Sequence, residues 1–193
     1  MKVYFKTFGC RTNIYDTELL KSYVKNYEIV NDESVADIIV VNSCTVTNGA
    51  DSGVRNYINS MRNSGKKVIL TGCGAVSKGD ELFKSSAIFG VLGASNKSKI
   101  DEMLGKSEPF YELGDLNFID KNIVSNYENH TKAFIKIQEG CDFACSYCII
   151  PSVRGFSRSI DEDIILKEAK ILASNGYSEI VLTGTNIGSY GKG

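Results

Sequence analysis

Apolar and polar positions follow two alternating rhythms along the first half of the chain. Lys2–Thr7 (KVYFKT) is dense in β-branched and aromatic residues and reads as a strand. It runs into a turn at Phe8-Gly9-Cys10. Tyr15, Leu19, Leu20, Tyr23, Val24 and Tyr27 then recur at helical spacing. Asp37–Val41 (DIIVV) is a short, almost continuous apolar run, as a buried parallel strand requires, and ends at Asn42-Ser43-Cys44. Ala50, Val54, Tyr57, Ile58 and Met61 restore the helical stripe until Asn63-Ser64-Gly65 stops it. Lys67–Leu70 (KVIL) gives a third strand, followed at once by Thr71-Gly72-Cys73-Gly74. Ser86–Leu92 offers a fourth strand, and Lys97–Leu104 a short helix behind a Ser95 or Asn96 cap.

Between Gly105 and Asn129 no period is sustained, and Pro109 and Gly114 interrupt the chain. This stretch reads as a boundary with a short strand or hairpin. Lys132–Gln138 (KAFIKIQ) alternates apolar with polar residues and opens a second unit as a strand. Ser159-Ile160-Asp161-Glu162 has the form of a capping box. The helix behind it carries Ile164, Ile165, Leu166, Ala169, Leu172 and Ala173 and stops at Asn175-Gly176. Glu179–Leu182 (EIVL) is the next strand, leading into Thr183-Gly184-Thr185-Asn186. Strand–helix alternation predicts an α/β fold: a parallel-sheet three-layer domain over 1–115, a linker over 116–130, and one βαβ unit over 131–193.

The 193 residues are 42% hydrophobic and carry a net charge of -1, so no global positive field draws the chain to nucleic acid. The N-terminal apolar run is too short for a signal peptide and none is long enough for a membrane span. A cytoplasmic location is therefore expected, where disulfides are rare and cysteines more often bind metal or react. The lone His130 reads as a solvated loop residue without a role.

The six cysteines fall into two sets of three. Cys141, Cys145 and Cys148 occupy one short stretch, QEGCDFACSYCIIP, in C-x3-C-x2-C spacing. Three thiolates on one loop suit an iron–sulfur cluster, and one ligand too few leaves an iron open for a small molecule. A structural zinc loop is the alternative, but it normally has a fourth Cys or His close by. Cys10, Cys44 and Cys73 each follow a strand within a few residues, so a parallel sheet would bring them to one rim. A lone Cys is usually a small buried hydrophobe. Three at equivalent places predict instead a second metal site, with sulfurs within roughly 10 Å of one another. Gly9, Gly72 and Gly74 would be the turns that let the backbone approach it.

With both sets located, the chain resembles the front portion of a radical S-adenosylmethionine (SAM) methylthiotransferase. The matching stretches are KTFGCRTN, VVNSCTVTNGA, LTGCGA, IQEGCDFACSYCIIPSVRGFSRS and LTGTNIGSYG. The resemblance implies that the second unit begins a partial TIM barrel of the radical SAM type, here truncated. In the family the rest of the barrel and a small RNA-binding β domain follow, so this portion is not expected to be active alone. It also implies two [4Fe-4S] clusters and SAM. The cluster on Cys141, Cys145 and Cys148 would pass an electron to SAM and release a 5′-deoxyadenosyl radical. The one on Cys10, Cys44 and Cys73 would hold the sulfur that is methylated and transferred. Tyr147 matches the aromatic that the family prefers before the last loop cysteine. Thr183, Gly184 and Asn186 stand where such proteins contact SAM, although an ordinary glycine turn explains them equally well. Arg154 and Arg158, in R-G-x-x-R, have the chemistry to grip a carboxylate or phosphate.

Arg11-Thr12-Asn13 and Gly184-Thr185-Asn186-Ile187-Gly188 look more like the branch acting on threonylcarbamoyladenosine beside the tRNA anticodon. The branches for isopentenyladenosine and for a ribosomal-protein aspartate are the alternatives, and an iron–sulfur redox or sensor protein is a further one. The partners implied are a tRNA substrate, an electron donor and a sulfur donor, with no membrane.

Overall fold

The computed structural model describes residues 1–44, 48–128 and 130–192, with the backbone alone for 48–51. The side chain of Ala50 and residues 45–47 of the second cysteine motif thus lie outside the described residues. In chain order the first unit comprises β1 (Lys2–Thr7), α1 (Arg11–Tyr23), β2 (Glu28–Ile29), β3 (Ile38–Ser43), α2 (Asn48–Asn63), β4 (Lys67–Gly72), α3 (Cys73–Ser77), α4 (Gly79–Lys84), β5 (Gly90–Leu92), α5 (Ile100–Leu104) and β6 (Phe110–Glu112). Its six strands form one sheet in the order β2-β1-β3-β4-β5-β6, with every pairing parallel. The buried strands alternate their side chains between two faces. Ile39, Val41, Val68 and Leu70 pack with Val54, Ile58 and Met61 of α2, while Ile38, Val40 and Ile69 pack with Leu20 of α1 and Ile100, Met103 and Leu104 of α5. Three layers result.

Several local expectations are corrected. The first helix ends at Tyr23, and Val24 and Tyr27 pack from the segment beyond it. The fourth strand shrinks to Gly90–Leu92. No Ser95 or Asn96 cap forms, because a 3-10 stretch, Ala94–Lys99, precedes α5. Ser95 Oγ donates instead to Leu113 O (3.5 Å) and Asn96 Nδ2 to Glu112 O (3.3 Å), tying the turn to the end of β6. The boundary stretch contributes that strand, paired parallel to β5, and no hairpin.

The second unit comprises β7 (Ala133–Glu139), α6 (Ile150–Arg154), β8 (Arg158–Ser159), α7 (Glu162–Ser174) and β9 (Ile180–Gly184). β7 lies between antiparallel β8 and parallel β9, which gives the expected βαβ crossover. The capping box does not form. Ser159 is in β8, where its Oγ accepts from Gly191 N–H (2.9 Å), and Asp161 takes the N-cap position while pairing with Lys121 (2.7 Å). All seven residues of β7 are buried, so its polar alternation does not mark a solvent face. The reason is that α1 packs on both units: Tyr15 and Leu19 join Phe134, Ile135, Ile137 and Leu172 in the second core. Val124 and Tyr127 enter the same core, so the segment before β7 is packed rather than free. No helix of the described residues is long and apolar enough to cross a membrane.

One buried acid in this second core has a measurable consequence. Glu168 of α7 accepts hydrogen bonds from Val124 N–H (2.8 Å) and Tyr15 O–H (3.4 Å). Burial raises its pKa from an ordinary 4.5 to about 7, against the opposing pull of those bonds. A carboxyl raised in the folded state favours folding while protonated. That contribution is whole below about pH 4.5 and lost as pH rises through 7. Glu168→Gln is therefore expected to unfold at higher denaturant than the parent at pH 8, by at most about 3 kcal/mol, with the gap closing near pH 4. Equal stability at pH 8 would contradict the buried-carboxylate account.

Candidate functional site

The parallel register carries the first cysteine set to one rim. β1, β3 and β4 end side by side, with Thr7 opposite Asn42 and Ser43 opposite Gly72. Cys10, exposed, is the N-cap residue of α1; Cys44, buried, follows β3; Cys73, 3% exposed, begins α3. The loops touch closely. A Cβ on Gly9 (φ 127°) would strike Cys44 Cβ and lie 3.4 Å from its sulfur. Gly72 (φ 78°) occupies the left-handed region, where a side chain would collide with Asn42 and Ser43. Gly74 lies within α3 against Ser43 rather than in a turn. Thus the glycines serve the approach of one cysteine loop to the next.

Under this rim lies a lattice of buried charge that the sequence analysis did not find. Asp16 of α1 pairs with Lys136 (2.7 Å), Lys97 (3.3 Å) and Arg154 (3.2 Å). Glu139, at the end of β7, pairs with Lys136 (3.1 Å) and Arg154 (2.5 Å). Burial alone would raise both carboxyls, but the cations outweigh it: Asp16 is held far below the usual range and Glu139 at about 2. Arg154 Nε donates to Cys73 Sγ (3.1 Å) and Nη2 to Asn13 Oδ1 (2.8 Å). Asn13 Oδ1 also accepts from the Cys10 thiol (3.6 Å), and its Nδ2 donates to Asn42 Oδ1 (3.3 Å). Burial pushes the Cys73 thiol up, with Arg154 pulling the other way. The cavity among these groups offers about 10 Å³, the margin for one water.

The loop set is arranged differently. Cys141 and Cys148 are half-buried and Cys145 is exposed, on a stretch without regular structure between β7 and α6. Gln138, fully buried, fixes its root by donating to Gly140 O (2.8 Å) and accepting from Asn186 N–H (2.7 Å). The Asn186 side chain then reaches Ser189 Oγ (2.9 Å) and Cys141 Sγ (3.8 Å). Thr183 and Gly184 end β9 beside Gln138. Tyr147 is not drawn in; it is 90% exposed. Arg154 is buried, and the carboxylates it grips are the protein's own, Asp16 and Glu139.

The donor chemistry fits iron–sulfur ligation. Six free thiols stand in two groups, and the segment following β9 holds a buried hydroxyl, Thr185 Oγ1, that has no hydrogen-bond partner among the described residues. Among the described residues, no three Cys, His, Asp or Glu side chains close round a single metal ion. The sulfurs of one zinc stand about 4 Å apart, given Zn–S bonds near 2.3 Å, so neither set is preset as a mononuclear site.

Comparison with known proteins agrees with this layout. Residues 2–93 match the model of the "Uncharacterized protein family UPF0004", and residues 135–192 match the radical SAM superfamily. A Helicobacter pylori protein bearing the methylthiotransferase name is 52% identical over 99% of the chain. The threonylcarbamoyladenosine tRNA methylthiotransferase MtaB of Aquifex aeolicus is 39% identical over 99%. The chain belongs to the radical SAM methylthiotransferase family. It spans about half the length of the relatives it matches: 46% of the Helicobacter protein and 49% of the Aquifex one. A solved structure of the radical SAM methyltransferase TsrM from Kitasatospora setae aligns with TM-score 0.65 at 13% identity, covering 97% of this chain and 48% of that one. At that identity the likeness concerns the fold, which this chain shares over both units.

Removing one cation from the lattice leaves buried carboxylates short of a partner. Lys136→Met is expected to lower unfolding free energy at pH 7 by about 3–5 kcal/mol. A loss below about 1 kcal/mol in denaturant titration would show that the lattice does not hold the units together.

Proposed function

We propose that this chain is the cluster-bearing front portion of a tRNA methylthiotransferase acting on threonylcarbamoyladenosine next to the anticodon. On this reading 1–115 is the second-cluster domain, 116–130 the connection and 131–193 the start of the radical SAM domain. Cys141, Cys145 and Cys148 would hold one [4Fe-4S] cluster, and Cys10, Cys44 and Cys73 the other. When bound, the loop cluster with SAM supplies one-electron cleavage to a carbon-centred radical, and the second cluster carries the sulfur destined for methylation and transfer. The observation that carries the reading is the meeting of Asn186 with Cys141, 3.8 Å from side-chain nitrogen to sulfur. It sets the Thr183–Asn186 segment beside the loop thiols, where backbone groups and the Asn amide can bind an amino-acid headgroup. Gln138 orients that segment through Asn186 N–H. The buried Thr185 hydroxyl, without a partner among the described residues, lies in the same segment.

Support for the substrate is the Arg11-Thr12-Asn13 and Gly184-Thr185-Asn186 wording, together with MtaB relatives in Aquifex aeolicus (39%) and Bacillus subtilis (35%). A second reading is favoured by another relative, the tRNA-2-methylthio-N(6)-dimethylallyladenosine synthase of Fervidobacterium nodosum, 33% identical over the whole chain. Partners on either reading are tRNA, an electron donor and a sulfur donor.

Anaerobic reconstitution is expected to load about eight irons per chain, four in each cluster. Replacing the three loop cysteines by Ala should halve the iron and abolish SAM cleavage by the full-length protein. Replacing the other three should halve the iron and spare cleavage. SAM cleavage surviving the loop replacement would reverse the roles. Mass spectrometry of tRNA nucleosides from cells with and without the full-length enzyme decides the substrate: loss of the 2-methylthio form of isopentenyladenosine alone would replace the first reading by the second.

A further inference from the structure

We infer that Arg154 is a positioning residue for the first cysteine set: it holds Cys73 directly and Cys10 through Asn13, so the unit carrying the loop thiols fixes the other set. The inference rests on the reading of Cys10, Cys44 and Cys73 as ligands of one cluster.

The guanidinium is 7% exposed and every one of its nitrogens is engaged. Nε donates to Cys73 Sγ, Nη1 to Asp16 and Glu139, and Nη2 to Asn13 Oδ1. These acceptors come from α3, α1 and β7, three segments far apart in sequence. Asn13 then passes the constraint on. Its Oδ1 accepts a hydrogen bond from the Cys10 thiol (3.6 Å), its Nδ2 donates to Asn42 Oδ1 (3.3 Å), and its backbone carbonyl accepts from Asn42 Nδ2 (2.9 Å). Asn42 lies two residues before Cys44. One arginine thereby reaches a thiol directly, a second through one side chain, and the strand of the third through two.

The neighbouring residue binds the other set. Gly155 O accepts from Cys141 N–H (3.1 Å), so the dipeptide Arg154-Gly155 touches both cysteine groups. Charge points the same way. The lattice sets three buried cations, Lys97, Lys136 and Arg154, against two carboxylates, Asp16 and Glu139, and Arg154 also donates to the Cys73 sulfur and to the Asn13 amide oxygen. The cation in excess is thereby placed against the Cys73 sulfur. Only the planar fork of arginine supplies donors in these directions; a lysine ammonium keeps the charge and loses the geometry.

Arg154→Met and Arg154→Lys separate the two roles, both made in a chain whose loop cysteines are replaced by Ala so that only the first set binds iron. Lysine should restore most of the thermal stability that methionine loses. It should not restore the metal site: iron release to a chelator is expected to quicken about 10- to 100-fold in both variants. A stability cycle of Arg154→Lys against Cys73→Ala in the metal-free chain is expected to show coupling of about tenfold in the folding constant. This cycle and the Lys comparison still decide if the Met variant does not fold. Iron retention in the Lys variant equal to the parent, or additivity in the cycle within about twofold, overturns the inference. Should the parent with replaced loop cysteines take up no iron, the second-cluster reading falls and takes this inference with it. In that case a coupled cycle would mark the Arg154–Cys73 contact as structural only.

Discussion

The ion lattice around Asp16 is the constraint on which the rest of the structure depends. Isolated charges at this depth would cost several kcal/mol each, so each must meet an opposite charge at contact distance. Asp16 comes from the helix after the first strand, Lys97 from a 3-10 stretch, Lys136 and Glu139 from the first strand of the second sheet, and Arg154 from the helix after the loop. Only one docking of the two sheets satisfies all five. A hydrophobic junction would hold the units as firmly but would tolerate sliding, because apolar contacts have little direction. Fork-and-carboxylate geometry does not tolerate it. The separation of the two cysteine groups is thus set by charge pairing, and the apolar clusters above and below supply most of the cohesion.

The parts that were legible in the sequence follow from local physics. DIIVV and KVIL are strands because continuous β-branched runs are buried on both sides, and the cysteines after them reach one rim because parallel strands share an orientation. What was not legible depends on the meeting of distant segments. KAFIKIQ has the alternation of a half-exposed strand, yet Lys136 is buried against Asp16 of α1, and Gln138 is buried among Gly140, Ser157 and Asn186. α1 in turn buries Thr12, Asn13, Asp16, Thr17 and Glu18 along with its apolar stripe, since it serves two cores. A helix polar on one face is ordinarily solvated there. Ser159 and Glu162 had capping-box spacing, but Ser159 pairs in β8 and is unavailable to the helix. The carboxylate-gripping chemistry of Arg154 was legible, but not that its partners are Asp16 and Glu139, which lie 138 and 15 residues away in sequence.

The two cysteine sets differ in a way that suits unequal tasks. Cys73 and Cys44 lie within the sheet rim, backed by a lattice with a positive surplus. The loop thiols sit on irregular chain with Phe143, Tyr147 and Phe156 exposed around them. In the first set Cys44 and Cys73 are buried and Cys10 is exposed, and Cys73 and Cys10 are held by side chains from both units. The loop set is held mainly at its root, through Gln138 and the Gly155 carbonyl. On the proposed reading the loop set is the one that would admit a small molecule, which needs open coordination and access.

Adjacent residues of α1 also give the junction opposite responses to pH. Tyr15 donates to Glu168, an acid whose neighbours are hydrogen-bond donors, while Asp16 faces three cations. Burial acts on both acids alike and penalises the charged form. The difference lies in what surrounds them, so Glu168 is raised to about 7 and Asp16 is held far down. Glu168 withdraws its contribution as pH rises through 7. The Asp16 and Glu139 pairs contribute above the ordinary carboxylate range and lose their contribution as pH falls toward the depressed folded values. The two trends oppose each other, so their combined contribution to stability is greatest near the ordinary carboxylate pKa and declines on either side. Because both signals enter through neighbouring positions on one helix, the same element that aligns the cysteine rim also registers the protonation state of the core beneath it.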